Sequence, residues 1–213
     1  MSVAVKICGL STAEAVTAAV EGGAAMVGFV FFPPSPRSLE PERAAELAAL
    51  VPDHVTKVAL TVDADDALFD AVVAHLDPGI LQLHGKESPA RMMVLRQRYG
   101  REIMKAVAIS GPGDVVRARR YEDSADRLLF DAKPPKGATR PGGNALVFDW
   151  AVLAGETWSK PWMLAGGIHA GNLAEAAEVS GAAMVDVSSG VEDTPGVKNT
   201  GKIREFLALA ASL

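Results

Sequence analysis

Cys8 and Asp131 are the residues whose chemical types and positions suggest reactivity. The run Val3-Ala-Val-Lys-Ile-Cys8-Gly9 is apolar and β-prone and stops at a glycine, so the chain's one cysteine ends a strand and faces a loop. Far downstream, Arg127-Leu-Leu-Phe-Asp131-Ala-Lys133 repeats the arrangement, with an acid at a strand end and a Pro/Gly-rich loop after it. A thiol can accept a proton or act as a nucleophile, and a carboxyl group can donate a proton. On two strand ends of one sheet they suit proton-transfer chemistry. Lys6 lies two residues before Cys8 and, by strand alternation, on the same face. A nearby ammonium favours thiolate, so a thiol pKa below the usual value of about 8.5 is expected. The plainer alternatives are a buried, inert thiol at Cys8 and a loop-bracing carboxylate at Asp131.

Other strand ends carry binding chemistry. Arg37 closes the Pro-rich stretch Phe32-Pro-Pro-Ser-Pro-Arg37, a stiff loop from which a guanidinium could clamp a carboxylate in bidentate fashion or simply be solvated. Ala165-Gly166-Gly167-Ile168 and Asp186-Val-Ser188-Ser189-Gly190 read as a phosphate cradle. Their glycines would let backbone N–H groups approach an anion, and the serines would open a short helix whose dipole favours negative charge. His84, in Gln82-Leu-His84-Gly85, has no second His or Cys at ligand spacing, so it reads as a structural strand-end histidine and no metal is expected.

These groups need a scaffold that brings many strand ends together. Candidate strands are Val3–Ile7, Met26–Phe31, Val55–Leu60, Ile80–Leu83, Ile103–Val107, Leu128–Phe130, Trp162–Leu164 and Met184–Val187. Each is continuously apolar, as parallel strands covered on both faces must be. Between and after them run helical patterns at Ser11–Glu21, Pro41–Leu50, Asp65–His75, Pro89–Tyr99, Asp114–Tyr121, Leu173–Val179 and Lys202–Ala211, with a short piece near Trp150–Ala154. Ser11 with Glu14 has capping-box spacing for the first helix. Eight strand–helix pairs, and no GxGxxG after the first strand, favour a closed (β/α)8 barrel over an open doubly wound sheet. The C-terminal strand ends of such a barrel form the active face. No composition break divides the chain, so residues 1–213 are expected to form a single domain. Two long loops, after the second and sixth strands, are expected to be functional.

Composition narrows the function classes. A chain of 213 residues with 49% hydrophobic and 22% charged residues can bury a full core. A net charge of −5 without a Lys/Arg block argues against nucleic-acid binding. One cysteine allows no internal disulfide. No apolar run approaches the roughly 20 residues needed to span a bilayer, and the sequence enters a strand with no signal-like segment before it. A cytoplasmic location, no membrane association and no obligate protein partner are the resulting expectations.

Taken together these residues resemble the phosphoribosylanthranilate isomerase family of tryptophan biosynthesis. The matching segments are Val5-Lys-Ile-Cys8-Gly9, Gly28-Phe-Val-Phe-Phe-Pro-Pro-Ser-Pro-Arg37, Leu81-Gln-Leu-His84-Gly85, Leu129-Phe-Asp131-Ala-Lys133, Gly142-Gly143 ahead of Phe148-Asp-Trp150, Leu164-Ala-Gly-Gly-Ile168, and Asp186-Val-Ser-Ser-Gly-Val-Glu192 leading to Pro195-Gly-Val-Lys198. Each is weak alone, but their order along the whole chain is specific. The resemblance implies a (β/α)8 barrel performing an Amadori rearrangement of N-(5-phosphoribosyl)anthranilate without cofactor or metal. It places the general base on Cys8, the general acid on Asp131 and the grip on the anthranilate carboxylate on Arg37. It places phosphate binding on Gly142, Gly143, Gly166, Gly167, Ser188, Ser189 and Gly190. The family's sixth loop commonly reads Gly-Gly-Thr-Gly, whereas Asn144 and Ala145 take the last two places here, so Asn144 is expected to donate in place of the threonine hydroxyl. Two competing readings are a histidine-pathway sugar-phosphate isomerase, which resembles an acid–base pair of two aspartates, and a non-catalytic barrel that binds a phosphorylated metabolite. Cys8 argues against the first. Having both Cys8 and Asp131 argues against the second.

Overall fold

The eight apolar runs close into a ring. In the computed structural model, which describes residues 2–135, 137, 139–143 and 146–213, the strands are β1 (Ala4–Cys8), β2 (Met26–Phe31), β3 (Thr56–Thr61), β4 (Ile80–Leu83), β5 (Glu102–Ile109), β6 (Arg127–Ala132), β7 (Trp162–Leu164) and β8 (Met184–Val187). They pair in sequence order, all parallel, and β8 returns to pair with β1. The closing register sets Lys6 opposite Asp186.

Alternation along each strand sorts side chains into two cores. Inside the ring, Met26, Val58, Ile80, Met104, Leu129 and Met163 pack as an apolar plug, and Cys8, Val30 and Leu60 form a separate buried layer. Outward-facing Ile7, Phe29, Phe31, Leu83 and Phe130 pack against the surrounding helices. These are α1 (Ala13–Glu21), α2 (Pro41–Ala48), α3 (Asp66–Leu76), α4 (Pro89–Tyr99), α5 (Pro112–Ala118), α6 (Leu173–Ser180) and α7 (Thr200–Ser212). Burying a side chain such as Phe206 or Phe69 in this outer core contributes about 1.5–3 kcal/mol each.

The structure departs from the sequence expectations at three local points. Thr12, not Ser11, caps α1: its hydroxyl accepts from Ala15 N–H at 3.3 Å, and with Ala at that position no reciprocal capping box forms. Between β6 and β7 there is no α-helix among the described residues, and the short helical piece expected near Trp150–Ala154 is a 3₁₀ turn over Trp150–Leu153, with Trp150 and Leu153 buried. After β8 a 3₁₀ turn (Ser189–Val191) leads into an antiparallel hairpin of β9 (Glu192–Thr194) and β10 (Val197–Lys198), turned by Pro195-Gly196. That hairpin was absent from the strand expectations. Among the described residues no helix is long and apolar enough to cross a membrane.

Candidate active site

The C-terminal mouth of the ring opens into a cavity that is continuous with solvent. Cys8 from β1, Arg37 from the loop after β2, His84 from β4 and Asp131 from β6 line it, with Gly142, Gly143, Gly166, Gly167, Ser188 and Ser189 from the later loops. The thiol and the carboxyl group, on strands well apart around the ring, therefore face one space.

Cys8 sits above a buried ion pair. Lys6 Nζ donates to Asp186 Oδ1 at 2.8 Å with the lysine fully buried. Burial works to strip the Lys6 charge, but Asp186 and Cys8 outweigh it and hold the ammonium above its ordinary pKa. For Cys8 the balance is the reverse of the sequence expectation. Burial pushes the thiol up, and Asp186 adds to this. Lys6, and to a smaller extent Lys198, pull it down without overcoming the burial. Lys6 thus faces the thiol as strand alternation predicts, and its effect is to limit a rise rather than produce a fall. Close packing here depends on Gly28, where a Cβ would stand 3.1 Å from Cys8 Sγ and 3.2 Å from Lys6 Nζ.

Asp131 is held from two sides. Its Oδ1 accepts from Ala132 N–H at 2.8 Å, and its Oδ2 lies 3.2 Å from His84 Nε2. Gln82 Nε2 lies 3.2 Å from His84 Nδ1. With the Gln82 amide donating, the imidazole carries its proton on Nε2, aimed at the carboxyl group. Sequence reasoning treated His84 as structural. It touches the candidate acid, and the available signal was its inward alternation with Gln82 on a strand end. Gly142 packs on this pair, since a Cβ there would stand 2.6 Å from Asp131 Oδ2 and 2.9 Å from His84 Nε2.

Arg37 is buried at 4% exposure and is not solvated. Its Nε and Nη2 donate to the two carboxylate oxygens of Glu192, each at 2.7 Å. Its Nη1 lies beside Gly143, where a Cβ would stand 2.7 Å from it. Neither Glu192 nor Lys198, which donates to Glu192 Oε1 at 2.6 Å, was assigned a role from sequence. The Pro195-Gly196 turn between them was the readable hint of a hairpin.

The candidate phosphate groups divide. Gly166 and Gly167 both have positive φ, +87° and +66°, so their backbone turns in a way only glycine adopts without strain. Ser188 and Ser189 line the same cavity from the loop after the neighbouring strand. Ser188 Oγ donates to Cys8 O at 3.0 Å, tying this loop to the end of β1. Gly190 is set behind these serines, where any Cβ would run into Ile168 O. Asn144, the expected replacement donor, lies outside the described residues. Among the described residues no group of three or more His, Cys, Asp or Glu is placed to hold a metal ion.

Known proteins are similar to this one along the full chain. Proteins named N-(5'-phosphoribosyl)anthranilate isomerase from Paramagnetospirillum magneticum and Parvibaculum lavamentivorans are 54% and 56% identical. The alignments cover 99% of this chain in both cases and 98% and 99% of the relatives. The crystal structure of phosphoribosyl anthranilate isomerase from Thermotoga maritima superposes with a TM-score of 0.88 at 33% identity, covering 99% of this chain and 100% of that one. Another phosphoribosyl anthranilate isomerase, crystallised with reduced 1-(o-carboxyphenylamino)-1-deoxyribulose 5-phosphate, superposes with a TM-score of 0.85 at 31% identity, again covering 99% of this chain and 100% of that one. The sequence model of the family described as N-(5'phosphoribosyl)anthranilate (PRA) isomerase matches residues 5–208, and the chain belongs to that family.

Proposed function

We propose that this protein catalyses the Amadori rearrangement of N-(5-phosphoribosyl)anthranilate to 1-(2-carboxyphenylamino)-1-deoxyribulose 5-phosphate in tryptophan biosynthesis, with the whole chain, 1–213, as one catalytic unit. The observation that carries the mechanism is the convergence of Cys8 and Asp131 on one cavity rimmed by Arg37 and the β7 and β8 loops. Asp131 donates a proton to the ribose ring oxygen, which opens the ring to a Schiff base. Cys8, as thiolate, removes the C2 proton, and the resulting enolamine tautomerises to the ketone. Gln82 and His84 hold the Asp131 carboxyl in place, with the imidazole N–H on its Oδ2. The phosphate goes to the Gly166-Gly167 turn and the Ser188-Ser189 loop, with Gly190 backing the serines and Gly142 and Gly143, which line the same cavity, completing the cradle. The anthranilate carboxylate goes to Arg37. Two remote grips on the substrate's anionic groups fix the reacting carbons between acid and base. We place this activity in the cytoplasm, a compartment that keeps a thiol base reduced.

The test is activity on phosphoribosylanthranilate generated in situ. Cys8→Ala and Asp131→Asn are each expected to lower kcat by about a hundredfold or more while KM changes far less. Full activity in both variants overturns the mechanism. Arg37→Ala is expected to raise KM.

A further inference from the structure

The β9–β10 hairpin contains a buried charge cluster that the proton-transfer steps leave unused. Glu192 is 8% exposed, and the Lys198 side chain is 1% exposed. One carboxylate serves two cations: Arg37 binds both of its oxygens, and Lys198 binds Oε1. Gly196 N–H donates to Oε2 at 3.1 Å. Lys198 reaches on to Ser188, donating to its carbonyl oxygen at 2.9 Å and its hydroxyl at 3.1 Å. Two cationic side chains thus converge on one carboxylate, and burial, with Arg37 adding to it, lowers the Lys198 pKa. Arg37 cannot choose its own direction there. A guanidinium is planar, and a bidentate pair on Nε and Nη2 fixes that plane, leaving Nη1 on the Gly143 side.

We propose that Glu192 is the positioning residue of the carboxylate subsite: by fixing the plane of Arg37 it sets the enzyme's preference for substrates that carry a carboxylate on the aryl ring. This rests on the assignment of Arg37 to the anthranilate carboxylate. Glu192 does not touch the reacting atoms and acts through Arg37. The amide of a glutamine would place an NH2 donor against a guanidinium donor, so Glu192→Gln breaks the bidentate pair while keeping the side chain's size. Glu192→Asp keeps the charge but is too short by one methylene to hold the same geometry.

The test is calorimetric titration of the full chain with two ligands, reduced 1-(o-carboxyphenylamino)-1-deoxyribulose 5-phosphate and its phenylamino counterpart without the carboxylate. Thermal unfolding of each variant identifies any that fails to fold. Glu192→Gln is expected to weaken the carboxylated ligand by about tenfold or more, as for loss of a charged hydrogen bond. The carboxylate-free ligand is expected to change by less than about threefold, within the range of a surface-type effect. In turnover, KM should rise while kcat holds. Glu192→Asp is expected to show the same selective loss, and it carries the test if Glu192→Gln does not fold. Equal weakening of both ligands, or of neither, overturns the positioning role while leaving the Arg37 assignment standing. Wild-type protein that does not prefer the carboxylated ligand overturns both.

Discussion

Burial and charge pull Cys8 in opposite directions, and burial prevails in the unliganded site. A raised thiol pKa means that the thiolate is scarce at neutral pH and grows as pH rises past the ordinary thiol range. Alkylation of Cys8 by iodoacetamide should therefore accelerate with pH, with its midpoint above the ordinary thiol range. Lys6→Met removes the larger of the two ammonium effects that oppose the rise and leaves Asp186 opposed only by Lys198, so the midpoint should move further alkaline. A midpoint that stays fixed would show that Lys6 does not act on Cys8. Cys8, Arg37 and Asp131 were legible because a strand end or a Pro-rich loop marks each one. His84 and Glu192 were not, because the groups that give them meaning come from distant parts of the chain, Asp131 for His84 and Arg37 for Glu192. No local pattern reports such partners.

Strands and helices were legible because burial on both sides of a parallel strand leaves a solid apolar run, as in Met26–Phe31, every residue of which is buried. What sequence hid was the polar bracing between elements. On the outside of the barrel, Lys105 is 1% exposed and donates to Leu83 O at 3.1 Å, Gly85 O at 2.7 Å and Glu87 Oε2 at 2.9 Å. Glu87 in turn accepts from Asp63 and Gly85 N–H groups. The two carbonyls that Lys105 holds flank His84, so this clamp fixes the backbone that aims the imidazole. Lys105 interrupts the apolar run Ile103–Val107, and the partners that bury it lie in other elements. Lys105→Met strands the Glu87 charge and should cost about 3 kcal/mol or more of unfolding free energy. Lys105→Met with Glu87→Gln should recover much of it, since a neutral amide oxygen still accepts from the loop N–H groups. Urea unfolding of the two variants distinguishes them, and equal losses would argue against a stranded charge. The helix missing after β6 is a related case: Trp150 and Leu153 bury themselves from a single 3₁₀ turn, so their apolar pattern mimics a short helix.

The ring is completed by long-range contacts between the chain's two ends. Val3 N–H donates to Ala210 O at 3.1 Å, β1 pairs with β8, and Ile203, Phe206 and Leu207 of α7 are buried in the outer core. Phe206→Ala should cost about 3–5 kcal/mol. The loss should appear as one cooperative shift in urea unfolding followed by both fluorescence and circular dichroism, and separated transitions would show that α7 unfolds on its own. The Lys6–Asp186 pair spans this same closure, one partner from the first strand and one from the last. An incomplete polypeptide, still lacking its final quarter, would hold its lysine without a counter-ion and its sulfur without the finished electrostatic setting. The burial and the carboxylate that hold the thiol's pKa up both arrive with closure of the circle, so a chain caught midway through synthesis or folding carries a more readily ionised sulfur than the finished barrel.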